Sequence, residues 1–211
     1  MPTIELRRTK RTKPESTYLR QFANNVTSQY GEDGIIDKIL DLIGRTDAWC
    51  VEFGAWDGKY LSNTWDLINN KGWSAVLIEG DQARHESLAD LHKVRTGEVF
   101  VEHAFVGWEG DSSLDNILAR TPIPSKFNVL SIDIDGNDWH VWSALTNYRP
   151  RLVVVEFNPS AGNELYFVQD ADPSLNQGAS LLAFIDLAKR KGYELVATTY
   201  ANAFFVLAED L

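Results

Sequence analysis

Tyr193–Glu209, with the sequence YELVATTYANAFFVLAE, contains two apolar segments typical of β-strands, at 193–200 and 204–209. The connection between them is only about three residues long. A crossover between parallel strands needs about a dozen residues or more, so these two strands must pair as an antiparallel hairpin. The chain therefore places an antiparallel hairpin after all of its other predicted elements.

Strand-like and helix-like segments alternate along the chain before this hairpin. Helices are predicted at 31–44, 62–71, 82–94, 112–120, 138–145 and 178–192, and strands at 49–53, 73–81, 98–106, 127–135 and 151–159. Alternation at this pace indicates parallel βαβ units in a doubly wound sheet. The predicted fold class is α/β, a three-layer αβα Rossmann-like sandwich around a mostly parallel, seven-stranded sheet that ends in the C-terminal hairpin.

The hairpin distinguishes two kinds of Rossmann-like domain. Dinucleotide-binding domains are usually parallel throughout, whereas an antiparallel strand that enters at the end is the layout of class I methyltransferases. Residues 28–211 are accordingly predicted to form one methyltransferase domain. Residues 1–27 are predicted to be a basic N-terminal extension and are interpreted as a solvated tail.

Composition limits the classes of partner. The net charge of -10 disfavours binding to nucleic acid or to an anionic membrane surface. No segment approaches the ~18 apolar residues of a membrane span, and the single cysteine, Cys50, excludes a disulfide framework within the chain. A cytoplasmic protein without a membrane span is expected, and its oligomeric state is left open.

The first strand leads into a loop with two glycines and two carboxylates, VEFGAWDG at 51–58. Ligands of doubly wound sheets lie outside the carboxyl ends of the strands, so Gly54 and Gly58 would let the main chain approach a ligand closely. The spacing is not the G-x-G-x-x-G pyrophosphate fingerprint, and Glu52 and Asp57 would repel a pyrophosphate. These carboxylates suit a ligand with a cationic end.

A further carboxylate, Glu79, ends the second strand. A carboxylate there can accept hydrogen bonds from both hydroxyls of a ribose. An adenosyl ligand with an ammonium group meets both requirements, so the sequence predicts binding of S-adenosylmethionine. The alternative is that Gly54 and Gly58 are ordinary turn glycines and that Glu79 is a solvated strand end.

More acidic residues follow the fourth strand, in SIDIDGNDWH at 131–140. Asp133 and Asp135 lie on one face of an extended strand, and Glu156 and Asn158 end the next strand. Like charges raise one another's pKa values unless a cation or hydrogen-bond donors intervene, so this cluster predicts a metal or proton-transfer site. Oxygen ligands favour Mg²⁺ or Mn²⁺ over zinc.

Methyl transfer to an alcohol needs a base, because a hydroxyl that keeps its proton attacks a sulfonium methyl group poorly. Asp135 and His140 are the two candidates. His140 could equally be a packed, hydrogen-bonded histidine. Asp138 is interpreted as a charge that compensates the N-terminus of the helix that follows.

Five stretches carry a family resemblance: SQYGEDGIIDKIL, VEFGAWDG, VLIEGD, FVG followed by SLDNIL, and LSIDIDGNDWHVW. This ordered set, over about residues 28 to 208, resembles the FkbM-like family of S-adenosylmethionine-dependent methyltransferases, many of which are associated with O-methylation of sugars or polysaccharides. The resemblance assigns Glu79 to the ribose and the residues around Ala104 to the adenine. The residues predicted to bind S-adenosylmethionine are Gln29, Tyr30, Glu52, Gly54, Ala55, Asp57, Gly58, Asn63, Glu79, Gly80, Asp81, His103, Ala104 and Asp133.

Related metal-dependent sugar O-methyltransferases hold Mg²⁺ with an Asp-x-Asp at this strand end and paired acids after the next strand. The resemblance implies Asp133, Asp135 and Glu156 as metal ligands, with Asp135 as ligand or base. Asn158 is the fourth predicted ligand, although the chain departs here from the paired acids. A sugar or glycan acceptor is implied, with Mg²⁺ or Mn²⁺ as a second cofactor.

The long connection at 159–177 is predicted to bind the acceptor, and the segment 28–33 either closes over the donor or caps the first helix. Aromatic residues near loops are candidates for stacking on a sugar or for core packing: Trp56, Tyr60, Trp108, Trp139 and Tyr166. The predicted function is S-adenosylmethionine-dependent O-methylation of a sugar hydroxyl. The alternatives are a nucleotide- or dinucleotide-binding oxidoreductase and a non-catalytic binding domain.

Overall fold

The structure of the chain, a computed structural model, describes residues 1–7, 17–91 and 98–211. Residues 8–16 of the predicted basic tail and the end of the predicted helix at 82–94 lie outside these ranges. Within them, no helix combines the length and the apolar character that crossing a membrane requires.

Nine strands are described: β1 Thr3–Leu6, β2 Trp49–Phe53, β3 Ser74–Glu79, β4 Val99–His103, β5 Val129–Ile132, β6 Leu152–Glu156, β7 Leu165–Val168, β8 Tyr193–Thr198 and β9 Asn202–Leu207. Seven of them form one sheet in the order β4-β3-β2-β5-β6-β9-β8. Strands β2 to β6 are parallel, and β9 pairs antiparallel with both β6 and β8. The predicted sheet and its terminal hairpin are confirmed.

Six α-helices are described: α1 Glu32–Ile43, α2 Trp65–Asn69, α3 Gln82–Leu91, α4 Leu114–Leu118, α5 Asp138–Ala144 and α6 Leu181–Lys191. Successive residues of a strand point to opposite faces, and β2 feeds two separate cores in this way. Val51 packs in the core with Trp142 of α5 and Phe184 of α6. Cys50 packs in the other with Ile39 of α1. Helices therefore cover both faces, which makes the three predicted layers.

The order of the strands reverses between β2 and β5, since the chain first moves outward to β4 and then returns to the other side of β2. In a doubly wound sheet, the cleft at this reversal is where ligands bind. The loops after β2, β3, β5 and β6 all meet there. The fold thus brings the glycine loop and the acidic segment of the sequence to one place.

A second, two-stranded sheet was not predicted. Thr3–Leu6 pairs antiparallel with Leu165–Val168, and the Arg7 guanidinium continues the contact by lying over the Tyr166 ring. Thr3–Leu6 of the leader is thus paired in a strand, while its side chains stay exposed to solvent. These strands are four residues each, too short for a clear alternating pattern.

Candidate active site at the carboxyl edge of the sheet

A cavity of about 380 Å³ opens at the carboxyl ends of β2, β3, β5 and β6. Its size lies in the usual range for small-molecule sites, roughly 300–1,000 Å³. Eight residues predicted to bind the donor line it: Gln29, Glu52, Gly54, Ala55, Glu79, Gly80, Ala104 and Asp133. Residues that the sequence analysis did not assign to the donor also line it, among them Trp56, Arg84, Phe105 and Ile134.

Glu52 is buried at the end of β2 and fixes the segment before α2. One carboxylate oxygen accepts the hydroxyls of Ser62 (2.6 Å) and Thr64 (2.8 Å), and the other accepts the backbone N–H of Asn63 at 2.8 Å. These bonds hold 62–64 outside a helix, which is why α2 starts at Trp65 rather than at the predicted Ser62. Burial raises the pKa of Glu52, and the three donors oppose that rise.

Gly54 is required for a different reason from the predicted one. Its φ is 74°, and a Cβ there would lie 1.8 Å from the carbonyl oxygen of Asp133. The neighbouring loop after β5, rather than a ligand, fills the space a side chain would need. The glycine therefore lets the loops after β2 and β5 meet, which closes the floor of the cavity.

Glu79 is buried at the end of β3 and connects two loops. Its carboxylate accepts the backbone N–H of Trp56 at 2.9 Å and that of Asp81 at 2.8 Å. A carboxylate has about four lone-pair positions, so it can accept further donors. Glu79 is thus neither solvated nor saturated, and it lines the cavity where a ribose was predicted.

The side of the cavity formed by the loop that follows β4 is apolar. Ala104, Phe105 and Val106 line it, and the Phe105 ring covers Gly80 so closely that a Cβ there would lie 2.3 Å from the ring. His103 does not line the cavity, because its ring nitrogen lies 2.9 Å from the carbonyl oxygen of Gly80 outside. Phe105, with 78% of its surface exposed, was missed because a lone aromatic in a loop carries no periodic signal.

Five other residues predicted to bind the donor do not line this cavity: Tyr30, Asp57, Gly58, Asn63 and Asp81. The Asp57 carboxylate accepts two backbone N–H groups of its own turn, and Asp81 accepts one at the start of α3. Asn63 donates from its side-chain amide to the Ser131 hydroxyl. These side chains shape the loops around the cavity.

Segment 28–33 caps α1 and also borders the cavity. One carboxylate oxygen of Asp33 accepts the backbone N–H groups of residues 26, 27 and 28, and the Ser28 hydroxyl accepts the N–H of Asp33. These bonds support the capping interpretation. Gln29, which follows Ser28 within this hydrogen-bonded segment, lines the cavity.

Three carboxylates meet where the cavity reaches β5 and β6. One oxygen each from Asp133, Asp135 and Glu156 lie within 4.8 Å of one another. Burial, reinforced by the charge of Glu156, raises the pKa of Asp133 to about 9. Burial and the charges of Asp138 and Asp135 raise the pKa of Glu156 to about 7. The carboxylates of this cluster therefore favour a shared proton or a cation.

The donor set fits a hard divalent cation. An octahedral Mg²⁺ holds its ligand oxygens at ~2.1 Å, so neighbouring ligands lie roughly 3–4 Å apart, a spacing these three carboxylates approach. The predicted fourth ligand, Asn158, is held by its own loop: its side-chain oxygen accepts the N–H of Ser160 and its amide donates to the carbonyl of Gln177. Asp135 has φ 57°, a strained value for a non-glycine residue, which is typical of functional turns.

The two remaining candidates after β5 have structural partners. Asp138 is 2% exposed and accepts the backbone N–H groups of Ile134 and Gly136, which closes the turn before α5. A ring nitrogen of His140 lies 2.9 Å from the carbonyl oxygen of Gln169, and His140 lines neither cavity. This placement supports the packed interpretation of His140 and leaves Asp135 as the candidate base.

A second cavity, of about 450 Å³, adjoins the cluster and shares Asp135 and Glu156 with the first. The connection predicted to bind the acceptor contributes Pro159, Asn176 and Gln177 to its wall. Buried Gln169 holds this wall: its side-chain oxygen accepts the N–H groups of residues 177 and 178, and its amide donates to the carbonyl of residue 175.

Only two of the five aromatic candidates lie at the cavity. Trp56 and Tyr60 are exposed at its mouth, where the Arg84 guanidinium lies 3.3 Å from the centre of the Trp56 ring. Trp108 and Trp139 pack against the His140 ring, with ring centroids 5.7 and 5.2 Å from it. Tyr166 is buried in the core.

Comparison with solved structures shows the fold. An S-adenosylmethionine-dependent methyltransferase from Clostridium acetobutylicum ATCC 824 superposes with a TM-score of 0.55 at 8% identity, over 90% of this chain and 95% of that one. LepI in complex with S-adenosylmethionine gives 0.52 at 11% identity, over 90% and 51%. A proposed sarcosine dimethylglycine methyltransferase from Galdieria sulphuraria gives 0.51 at 12% identity, over 78% and 60%.

The chain thus has the class I methyltransferase fold, although it spans only 60% of the Galdieria protein and about half of LepI. No protein-family model matches the chain, and no curated protein does. The likeness to the FkbM-like family therefore stays a resemblance of motifs.

Proposed function

We propose that the protein is an S-adenosylmethionine-dependent methyltransferase that methylates a hydroxyl of a sugar, free or within a glycan. The observation that carries the proposal is the joining of two cavities at the strand reversal of this fold, with three carboxylates between them. One cavity suits the donor and the other the acceptor. S-adenosylmethionine supplies an electrophilic methyl group when bound.

The chain offers a distinct group for each part of the donor. Glu79 accepts the ribose hydroxyls with the lone pairs its two loop contacts leave, and the apolar side at Ala104 and Phe105 takes the adenine. The Glu52 carboxylate gives the opposite side a negative potential for the methionine ammonium. A dinucleotide fits poorly, because the lining has two buried glutamates and its one arginine, Arg84, lies on Trp56.

On the acceptor side, Asp135 is exposed to both cavities and takes the proton of the reacting hydroxyl. Asp133, Asp135 and Glu156 would hold Mg²⁺ or Mn²⁺, which would lower the pKa of a bound hydroxyl and relieve the repulsion in the cluster. Amide and carboxylate groups at Asn176, Gln177 and Glu156 suit a polyhydroxylated acceptor.

Donor binding is tested by calorimetric titration of the whole chain with S-adenosylhomocysteine and with NAD. Wild type should bind S-adenosylhomocysteine only, and Glu79→Ala should weaken it by about tenfold to a hundredfold, because hydrogen bonds to a charged acceptor are worth ~1.5–3 kcal/mol. Glu194→Ala, which removes an exposed glutamate of β8, is the matched control. Binding of NAD in place of S-adenosylhomocysteine would overturn the proposal.

A further inference from the structure

Two exposed tyrosines form an open aromatic surface at the carboxyl edge of the sheet. Tyr30 precedes α1 and Tyr200 lies in the turn between β8 and β9, and their ring centroids are 5.3 Å apart at an angle of 52°. They are 40% and 66% exposed. Aromatic faces left open to water in this way often mark a binding surface. We refer to these two residues as the tyrosine pair.

A single buried carboxylate fixes both halves of the tyrosine pair. Glu32, with no exposed surface, accepts the backbone N–H of Tyr30 at 2.6 Å through one oxygen. Its other oxygen accepts the Thr199 hydroxyl at 2.6 Å and the Asn202 amide at 3.2 Å. The segment beside each ring is thus tied to the same carboxylate, through the main chain at Tyr30 and through the side chains of Thr199 and Asn202 next to Tyr200, so the surface is preorganised.

The tyrosine pair lies near the end of β6, where Glu156 of the carboxylate cluster is, although neither tyrosine lines either cavity. Asn202, two residues after Tyr200, is the register partner of Glu156 in the β6–β9 ladder. Gln29, next to Tyr30, lines the donor cavity. The apolar side predicted to take the adenine is formed by the residues that follow β4. In the sheet order, β4 lies on one side of β2, and β6 and β9 lie on the other. A molecule on the tyrosine pair would therefore approach the carboxylate cluster from the side away from the adenine.

We infer that the tyrosine pair stacks against the apolar face of a sugar ring in the acceptor and so positions its hydroxyl at the carboxylate cluster. This inference rests on the proposed function and names the residues that hold the sugar ring of the acceptor. The C–H face of a pyranose carries partial positive charge and is attracted to the negative face of an aromatic ring. The ring faces, and not the phenol hydroxyls, make the contact with the sugar. Substitution of either tyrosine by phenylalanine should therefore preserve binding.

The test uses the whole chain saturated with S-adenosylhomocysteine and three neutral probes: maltotriose, cellotriose and mannotriose. Saturation-transfer NMR measures binding of each probe to wild type, Tyr30→Ser, Tyr200→Ser and Tyr200→Phe. Tyr18→Ser is the matched control, because Tyr18 is also exposed, contacts Phe22 at 5.2 Å between ring centroids, and lines neither cavity.

At least one probe should bind wild type, and each serine variant should weaken it by roughly fivefold to tenfold, the effect expected of one aromatic contact. Tyr200→Phe and Tyr18→Ser should bind within about twofold of wild type. Affinity for S-adenosylhomocysteine should be the same in all variants, which separates stacking from a structural defect. The inference is overturned if both serine variants bind the probes as wild type does, or if wild type binds no probe. If wild type instead fails to bind S-adenosylhomocysteine, the proposed function is overturned.

Discussion

The proposed donor side of the site holds two buried carboxylates that accept hydrogen bonds from the chain. The three carboxylates toward the proposed acceptor side, among them the exposed Asp135, accept none from the rest of the described chain. Glu52 accepts three hydrogen bonds and Glu79 accepts two. Asp133, Asp135 and Glu156 face one another, and no donor group in the described residues offsets the raised pKa of Asp133. The first pair is held in place by donors of the chain itself, whereas the second set is poised for a cation, a proton or a substrate hydroxyl.

The largest expected effect concerns the acceptor side. Asp135→Asn should lower methyl transfer by about 10²–10⁴, the usual contribution of a general base, because the amide cannot take the hydroxyl proton. Affinity for S-adenosylhomocysteine should hardly change. Turnover with labelled S-adenosylmethionine and calorimetry measure the two. The matched control is Asp41→Asn, at an exposed position of α1; full turnover in Asp135→Asn would remove Asp135 as the base.

The donor side should respond through stability instead. Glu52→Ala leaves three buried donors without a partner and should lower the free energy of unfolding by about 3 kcal/mol. Glu52→Gln keeps an acceptor oxygen and should cost less. Urea titration measures both, with the exposed Glu194→Ala expected within ~0.5 kcal/mol of wild type. If Glu52→Ala matches that control, the donors of residues 62–64 do not depend on Glu52.

The smallest effect is a pH dependence of stability that arises from Asp133 in the carboxylate cluster. The folded-state pKa of Asp133 is raised to about 9 from an unfolded value near 4, so the folded state keeps a proton that the unfolded chain releases. Stability should therefore fall as the pH rises through this window, by about 2 kcal/mol between pH 6 and pH 8.

Asp133→Asn should flatten that pH profile, and Mn²⁺ should restore stability at pH 8 in wild type but not in the variant. Denaturation at several pH values with and without Mn²⁺ measures both effects. Should Mn²⁺ leave wild type unchanged at pH 8, the proposed metal site fails, while a steep profile in Asp133→Asn would assign the proton to another group.

Much of the fold follows from local patterns. Apolar segments such as Ala75–Ile78 and Val153–Val155 are continuous because helices cover both faces of each strand. The short connection before β9 forces its antiparallel entry. Once the alternation of elements is known, the strand reversal brings Glu79 and Asp133 to one cavity. The carboxylates at strand ends could therefore be predicted from the sequence.

The rest depends on contacts between distant segments. Gly54 was identified as special, but its neighbour is the main chain of Asp133, which spacing alone does not reveal. Gln169 gives no signal, because its role is to bond the backbone of the loop that follows it. His140 looked catalytic by its position after β5, and only the packing of the chain near Gln169 shows where its ring points.

The bonds of Glu32 also have a consequence for biosynthesis. Glu32 and Asn202 are 170 residues apart, so a ribosome has to deliver the β9 strand before that carboxylate finds its partners. The loops after β2 and β3 can form long before then. A nascent chain would accordingly form the loops after β2 and β3 early and the contacts of Glu32 last, and such late, long-range closure predicts slow final maturation.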